Sequence, residues 1–154
     1  MTLQLLINMP RGKLSRYNIG KKKQRGQSDT KQLIEIKGHL LKKHKIHAMR
    51  EPYLIFKNDR LLCILEKLKT SQVDKSYQIK NPDILWMDKY GTWIIEVDGS
   101  VHDRKIQKTL ERNELFLKNR IKLIVVNLSD IKYLQIDIYD YIDKKIMEII
   151  NGRS

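Results

Sequence analysis

The stretch from Trp93 to Asp103, WIIEVDGSVHD, sets Glu96 and Asp98 two residues apart at the end of an apolar run. Thr92 to Val97 is rich in β-branched and aromatic side chains and reads as a strand. Residues two apart on a strand share a face, so Ile94, Glu96 and Asp98 point one way and Trp93, Ile95 and Val97 the other. Two carboxylates side by side on a largely buried strand repel each other and lose hydration unless something compensates. A hard divalent cation is the usual compensation, because it prefers carboxylate oxygens. A strand end whose acids simply point into water is the bland alternative, and the neighbouring residues have to decide between them.

Upstream, Ile84–Met87 and Trp93–Val97 flank the turn MDKYGT and predict an antiparallel hairpin. Tyr53–Phe56 and Ser76–Ile79 read as shorter strands. A helix is expected from about Thr30, capped by Ser28 or Asp29, with Leu33, Ile36, Leu40 and Leu41 along one stripe. Asn58-Asp59 is expected to open a second helix over RLLCILEKLK. Downstream, Arg104–Lys118 reads as a helix with Ile106, Leu110 and Leu117 beside Leu115 and Phe116. IKLIVVN then reads as a strand covered on both faces, and Ile138, Ile142, Ile146 and Ile149 mark a closing amphipathic helix. This order predicts an α/β fold, a mixed β-sheet flanked by helices, as a single domain over residues 29–154.

Residues 1–28 read as a separate basic, flexible arm. The chain carries a formal charge of +13, and residues 1–50 hold 13 Lys and Arg against only Asp29 and Glu35. Such a surplus calls for a polyanion partner. Few bulky apolar residues interrupt RGKLSRYNIGKKKQRGQ, which favours nucleic acid over a membrane surface. Arg11, Lys13, Arg16, Lys21, Lys22, Lys23 and Arg25 are the expected phosphate contacts. A solvated tail is the competing reading. No apolar run approaches the ~20 residues of a membrane-spanning helix. The lone cysteine, Cys63, forms no internal disulfide and fits an intracellular compartment, cytoplasmic or nucleoid-associated, or that of an organelle.

The ordered set NPDILWMDKYGTWIIEVDGSVH, followed by a helix carrying LERNEL and an apolar strand, resembles the core of the PD-(D/E)XK nuclease superfamily. Its nearest likeness is to the branch of very-short-patch repair endonucleases and E-D-x-H-D homing endonucleases. The likeness runs from about Asp83 to Asn127. It implies a restriction-endonuclease-like core and a Mg²⁺-dependent endonuclease (Mn²⁺ substituting) that hydrolyses DNA phosphodiesters in homing, repair-type nicking or junction resolution, with a homodimer as one way to cut both strands. The implied metal ligands are Asp83, Glu96, the Val97 carbonyl and Asp98. Asp98 stands where the common pattern has a lysine, so nucleophile activation falls to His102 and Asp103 or to the metal alone. Members of the superfamily often add an acid from an early helix, for which Glu35 is the first choice, Asp59 its rival, and Glu51 and Glu66 poorer options. Arg112 and Gln107, on the following helix, would contact phosphate or brace the acids. His39, His44 and His47 lack zinc-like spacing and read as solvent-facing or phosphate-contacting. A nuclease fold that has lost catalysis and only grips nucleic acid is the alternative function; a small basic RNA-associated protein is a third, which leaves the E-V-D-G stretch unexplained.

Overall fold

A computed structural model of the chain describes residues 27–99 and 103–152. The basic arm from Arg11 to Arg25, and His102, lie outside the described residues. Helix α1 spans Gln27–His44. Leu33, Ile36 and Leu40 are its buried stripe, whereas Leu41 is exposed. Lys42, Lys43 and His44 occupy its last turn, where cations suit the negative end of the helix dipole. The helix stops at Lys45, held at φ 59° in the left-handed region.

Seven strands follow: β1 (Met49–Arg50), β2 (Tyr53–Lys57), β3 (Arg60–Leu65), β4 (Gln78–Lys80), β5 (Ile84–Asp88), β6 (Gly91–Asp98) and β7 (Lys122–Asn127). Helix α2 (Asp103–Lys118) joins β6 to β7, and α3 (Leu128–Leu134) and α4 (Ile138–Asn151) end the described chain. The strands form a mixed sheet of order β1-β5-β6-β7 and a smaller antiparallel sheet of order β3-β2-β4. Only the β6–β7 pair is parallel in the first sheet, and α2 is its crossover. The fold is therefore α/β, with a mixed sheet flanked by helices.

Alternation along β5 and β6 decides what each face of the main sheet carries. Ile84, Trp86, Trp93 and Ile95 pack with Leu33, Ile36 and Leu40 of α1 and Ile142 and Ile146 of α4. Trp86 and Trp93 are cross-strand partners and stack at 5.3 Å and 11°. On the other face, Leu85 and Ile94 meet Leu115 and Phe116 of α2 and Leu54 and Phe56 of β2. Helix α2 ends in a Schellman motif: Arg120 sits at φ 59°, its N–H reaches the Leu117 carbonyl at 3.0 Å, and the Ile121 N–H reaches that of Phe116 at 3.0 Å. Phe116 is fully buried and anchors the helix at this end. Phe116→Ala is expected to cost ~3–5 kcal/mol, read as a lower urea midpoint with an unchanged m-value.

The helix expected over RLLCILEKLK is instead strand β3, paired with β2 in a hairpin. Asn58 and Asp59 do not cap a helix. They sit at φ 51° and 63°, between the registered pair Lys57 and Arg60, as a two-residue type I′-like turn requires. A register shift in the pairing turns Leu61 and Ile64 toward Phe56 and Cys63 and Leu65 toward Ile55, and β-pairing with β2 overrides the helix-compatible spacing. Burial pushes the Cys63 thiol pKa up. On α2, Leu110 and Leu117 are exposed, and the buried apolar side chains are Leu115 and Phe116. Helix α3 has no counterpart in the sequence reading; Asn127 caps it by accepting from the Asp130 N–H. No described helix is long and apolar enough to cross a membrane.

Candidate metal centre

Asp83 immediately precedes β5, and Ile84 is registered with Ile95 of β6, so the antiparallel register sets Asp83 opposite Glu96. Both are buried at 4% exposure. Both lie on the Leu85/Ile94 face, beneath α2. The backbone N–H of Val97 donates to Asp83 Oδ2 at 2.7 Å, which fixes that carboxyl against the next strand. The Asp83 carboxylate lies close enough to the Glu96 carboxyl to raise its pKa. The Glu96 Oε1 atom is buried with no hydrogen-bond partner among the described residues. Arg112, two-thirds of the way along α2 and one turn before Leu115 and Phe116, brings Nη1 to 3.4 Å from Glu96 Oε2.

Burial, followed by the charge of Asp83, pushes the Glu96 carboxyl up to about 8; Arg112 opposes the shift and Asp98 adds to it. At neutral pH Glu96 therefore holds a proton, and a cation bound between the two acids would have to displace it. Arg112 is the one influence that lowers this pKa. Replacing it by Gln is expected to move the Glu96 titration to still higher pH, followed by NMR of the side-chain carboxyl carbon.

Asp98 lies two residues further along β6, half-buried, and faces Asn127 of β7. It acts on Glu96 as a like charge but does not close into a compact trio of ligand atoms with it and Asp83. Beyond it, the Gly99 carbonyl accepts from Ser129 Oγ at 3.2 Å, tying the strand end to α3. His102, expected nearby, lies outside the described residues. Asp103 begins α2.

Glu35, the first choice for an acid from an early helix, lies away from the Asp83–Glu96 pair. Glu35 is exposed on α1, which packs on the opposite face of the sheet, and its carboxylate accepts from the Tyr139 hydroxyl at 3.3 Å. The helix phase that buries Ile36 turns Glu35 outward. Asp59 lies in the β2–β3 turn with Lys118 Nζ at 3.2 Å. Glu51, a poorer option by sequence, is the third buried acid, with Asp83 and Glu96, among the described residues. It follows β1, and its backbone N–H donates to the Asp83 carbonyl at 2.8 Å. The signal was absent locally because the β1–β5 pairing that carries Glu51 to Asp83 joins distant parts of the chain. Gln107 is exposed and contacts Glu111 at 3.3 Å. His39 and His44 are half-buried and bound to Asp143 rather than solvent-facing; His47 is exposed.

Two carboxyls side by side suit a hard cation that keeps much of its own hydration, as Mg²⁺ does. The unpartnered Glu96 oxygen and the raised Glu96 pKa mark a buried acid pair whose desolvation nothing among the described residues offsets in full. Comparison with protein-family models, curated proteins and solved structures returned no match for this chain.

Proposed function

We propose that the chain is a divalent-metal-dependent endonuclease that hydrolyses DNA phosphodiester bonds on a restriction-endonuclease-like core. The observation that carries this reading is the buried Asp83–Glu96 pair with one oxygen unsatisfied, in a chain of charge +13. Two acids held together in an apolar sheet cost stability and have no evident packing role.

In this reading Asp83, Glu96 and the Val97 carbonyl hold Mg²⁺, or Mn²⁺ in its place, with Asp98 at the mouth of the site. The ion supplies charge neutralisation on the scissile phosphate and lowers the pKa of water. The chain's own residues do the rest. The Val97 N–H keeps Asp83 Oδ2 oriented, so the acid does not reorganise as substrate arrives. Arg112 draws Glu96 toward its ionised form, the form a cation needs. His102 is placed by sequence to move a proton near neutral pH. Arg11, Lys13, Arg16, Lys21, Lys22, Lys23 and Arg25 grip backbone phosphates without choosing sequence.

The test is incubation of the purified protein with supercoiled, linear and branched DNA in Mg²⁺, Mn²⁺ or EDTA. Nicks or breaks that need the metal and vanish in EDTA are expected. Tight DNA binding without cleavage of any substrate in either metal would replace the enzyme with a nucleic-acid-binding fold.

A further inference from the structure

On the sheet face opposite the acid pair, three side chains from two helices converge. His39 Nε2 lies 2.8 Å and His44 Nε2 2.6 Å from the same oxygen, Oδ1 of Asp143. The histidines belong to α1 and the aspartate to α4. One ligand atom from each falls within 4.8 Å of the others. The histidine side chains are 19% exposed and that of Asp143 14%, so the cluster is sheltered yet reachable from solvent.

We propose that His39, His44 and Asp143 form a second metal centre, distinct from the acid pair, that takes one borderline divalent transition-metal ion such as Zn²⁺ and fastens α1 to α4. Two imidazole nitrogens and one carboxylate oxygen are a donor set for Zn²⁺, Co²⁺ or Ni²⁺; Mg²⁺ and Ca²⁺ favour all-oxygen sites. Three protein ligands at a partly open position leave the fourth to water.

The surroundings hold the donors in place. Lys43 Nζ contacts the other carboxylate oxygen, Oδ2, at 2.5 Å and leaves Oδ1 turned toward the two rings. The ring of Tyr139 packs against His39 at 4.8 Å. Burial works against the Asp143 charge, but hydrogen bonds from His44, Lys43 and His39 prevail and bring its carboxyl down to about 2, so it is ionised at neutral pH. In the metal-free protein the imidazoles share Oδ1 through N–H bonds. In the bound form each Nε2 gives its lone pair to the ion and each ring carries its proton on Nδ1. The histidines stand five apart on α1, and their partner lies about a hundred residues away.

The experiment is titration of chelator-stripped protein with Co²⁺ and then Zn²⁺, in excess Mg²⁺. One equivalent of Co²⁺ should bind with the ligand-field spectrum of a four-coordinate nitrogen–oxygen site, and Zn²⁺ should displace it. Zn²⁺ at ~100-fold over its Kd should raise Tm by roughly 5–10 °C. His39→Asn and His44→Asn should each weaken binding by more than the ~10–100-fold typical of losing an outer-shell partner. His47→Asn, and Asp83→Asn with Glu96→Gln, should leave the spectrum intact. A wild-type protein that takes up neither ion stoichiometrically would overturn the proposal whatever the variants do. So would binding that survives both histidine changes, or that disappears with Asp83 and Glu96. The outcome is independent of whether the chain cleaves DNA.

Discussion

Glu96→Gln should abolish Mg²⁺-dependent DNA cleavage, by ~10²–10³-fold or more, while leaving the protein folded at neutral pH. The two halves of this expectation come from one observation. With its carboxyl pushed up to about 8, Glu96 is protonated in the metal-free protein at pH 7, and Gln reproduces that neutral group in size and shape. Neutral stability should therefore rise by roughly 3 kcal/mol, because Gln keeps the neutral group while the unfolded chain no longer gains by releasing a proton there. What Gln cannot do is lose a proton to accept a cation. Asp83→Asn should behave alike, since an amide oxygen still accepts from the Val97 N–H but carries no charge. DNA affinity at low salt should persist in both variants, because the basic residues that neutralise phosphate are untouched. Wild-type cleavage rates in both would defeat the nuclease reading of this site.

Much of this site was legible in the sequence because it is local. The hairpin Ile84–Gly91–Asp98 writes its own register through the turn, so strand alternation alone places Asp83 opposite Glu96 and both on the face away from Trp93. The parallel partner β7 was legible as an apolar run, and α4 as isoleucines at helical steps. Misreadings arose where long-range pairing overrode local pattern. RLLCIL satisfies a helical stripe, but Asn58 and Asp59 accept the left-handed conformation and β2 supplies a partner edge, so the segment becomes a strand. Glu35 was chosen because it lies on an early helix, yet only the packing of α1 against the Trp86/Trp93 face reveals that it points away. The burial beside Asp83 of Glu51, an acid ranked low by sequence, and the His39–His44–Asp143 cluster share the same cause: each depends on elements brought together across 30 to 100 residues, and no periodicity reports that. Contacts of this range follow from the fold as a whole, not from any window of sequence.

The stability of the metal-free protein should fall as pH rises from about 4.5 to about 8, which are the ordinary and the folded-state positions of the Glu96 carboxyl. Below that window the folded and unfolded chains both hold the proton, and the contribution of Glu96 is fully present. Within it the unfolded chain releases the proton while the folded chain keeps it. Each pH unit then removes ~1.4 kcal/mol, up to about 5 kcal/mol across the whole window. Above it both states are ionised and the loss is complete. Asp143 has the opposite sign and a different range. Its carboxyl is depressed to about 2, so its contribution is present above the ordinary aspartate pKa and disappears only as pH falls toward 2. Urea midpoints measured between about pH 5 and pH 9 should show the decline in wild type and a flatter profile in Glu96→Gln. Saturating Mg²⁺ should flatten the wild-type profile as well, because binding of the ion to the ionised pair returns the stability lost to desolvated charge. The same linkage acts on catalysis: at a fixed, subsaturating Mg²⁺ concentration, cleavage should climb with pH until about 8, since each binding event below that pH must expel the Glu96 proton. A midpoint profile in Glu96→Gln as steep as that of wild type would show that the pH dependence originates outside the buried acid pair.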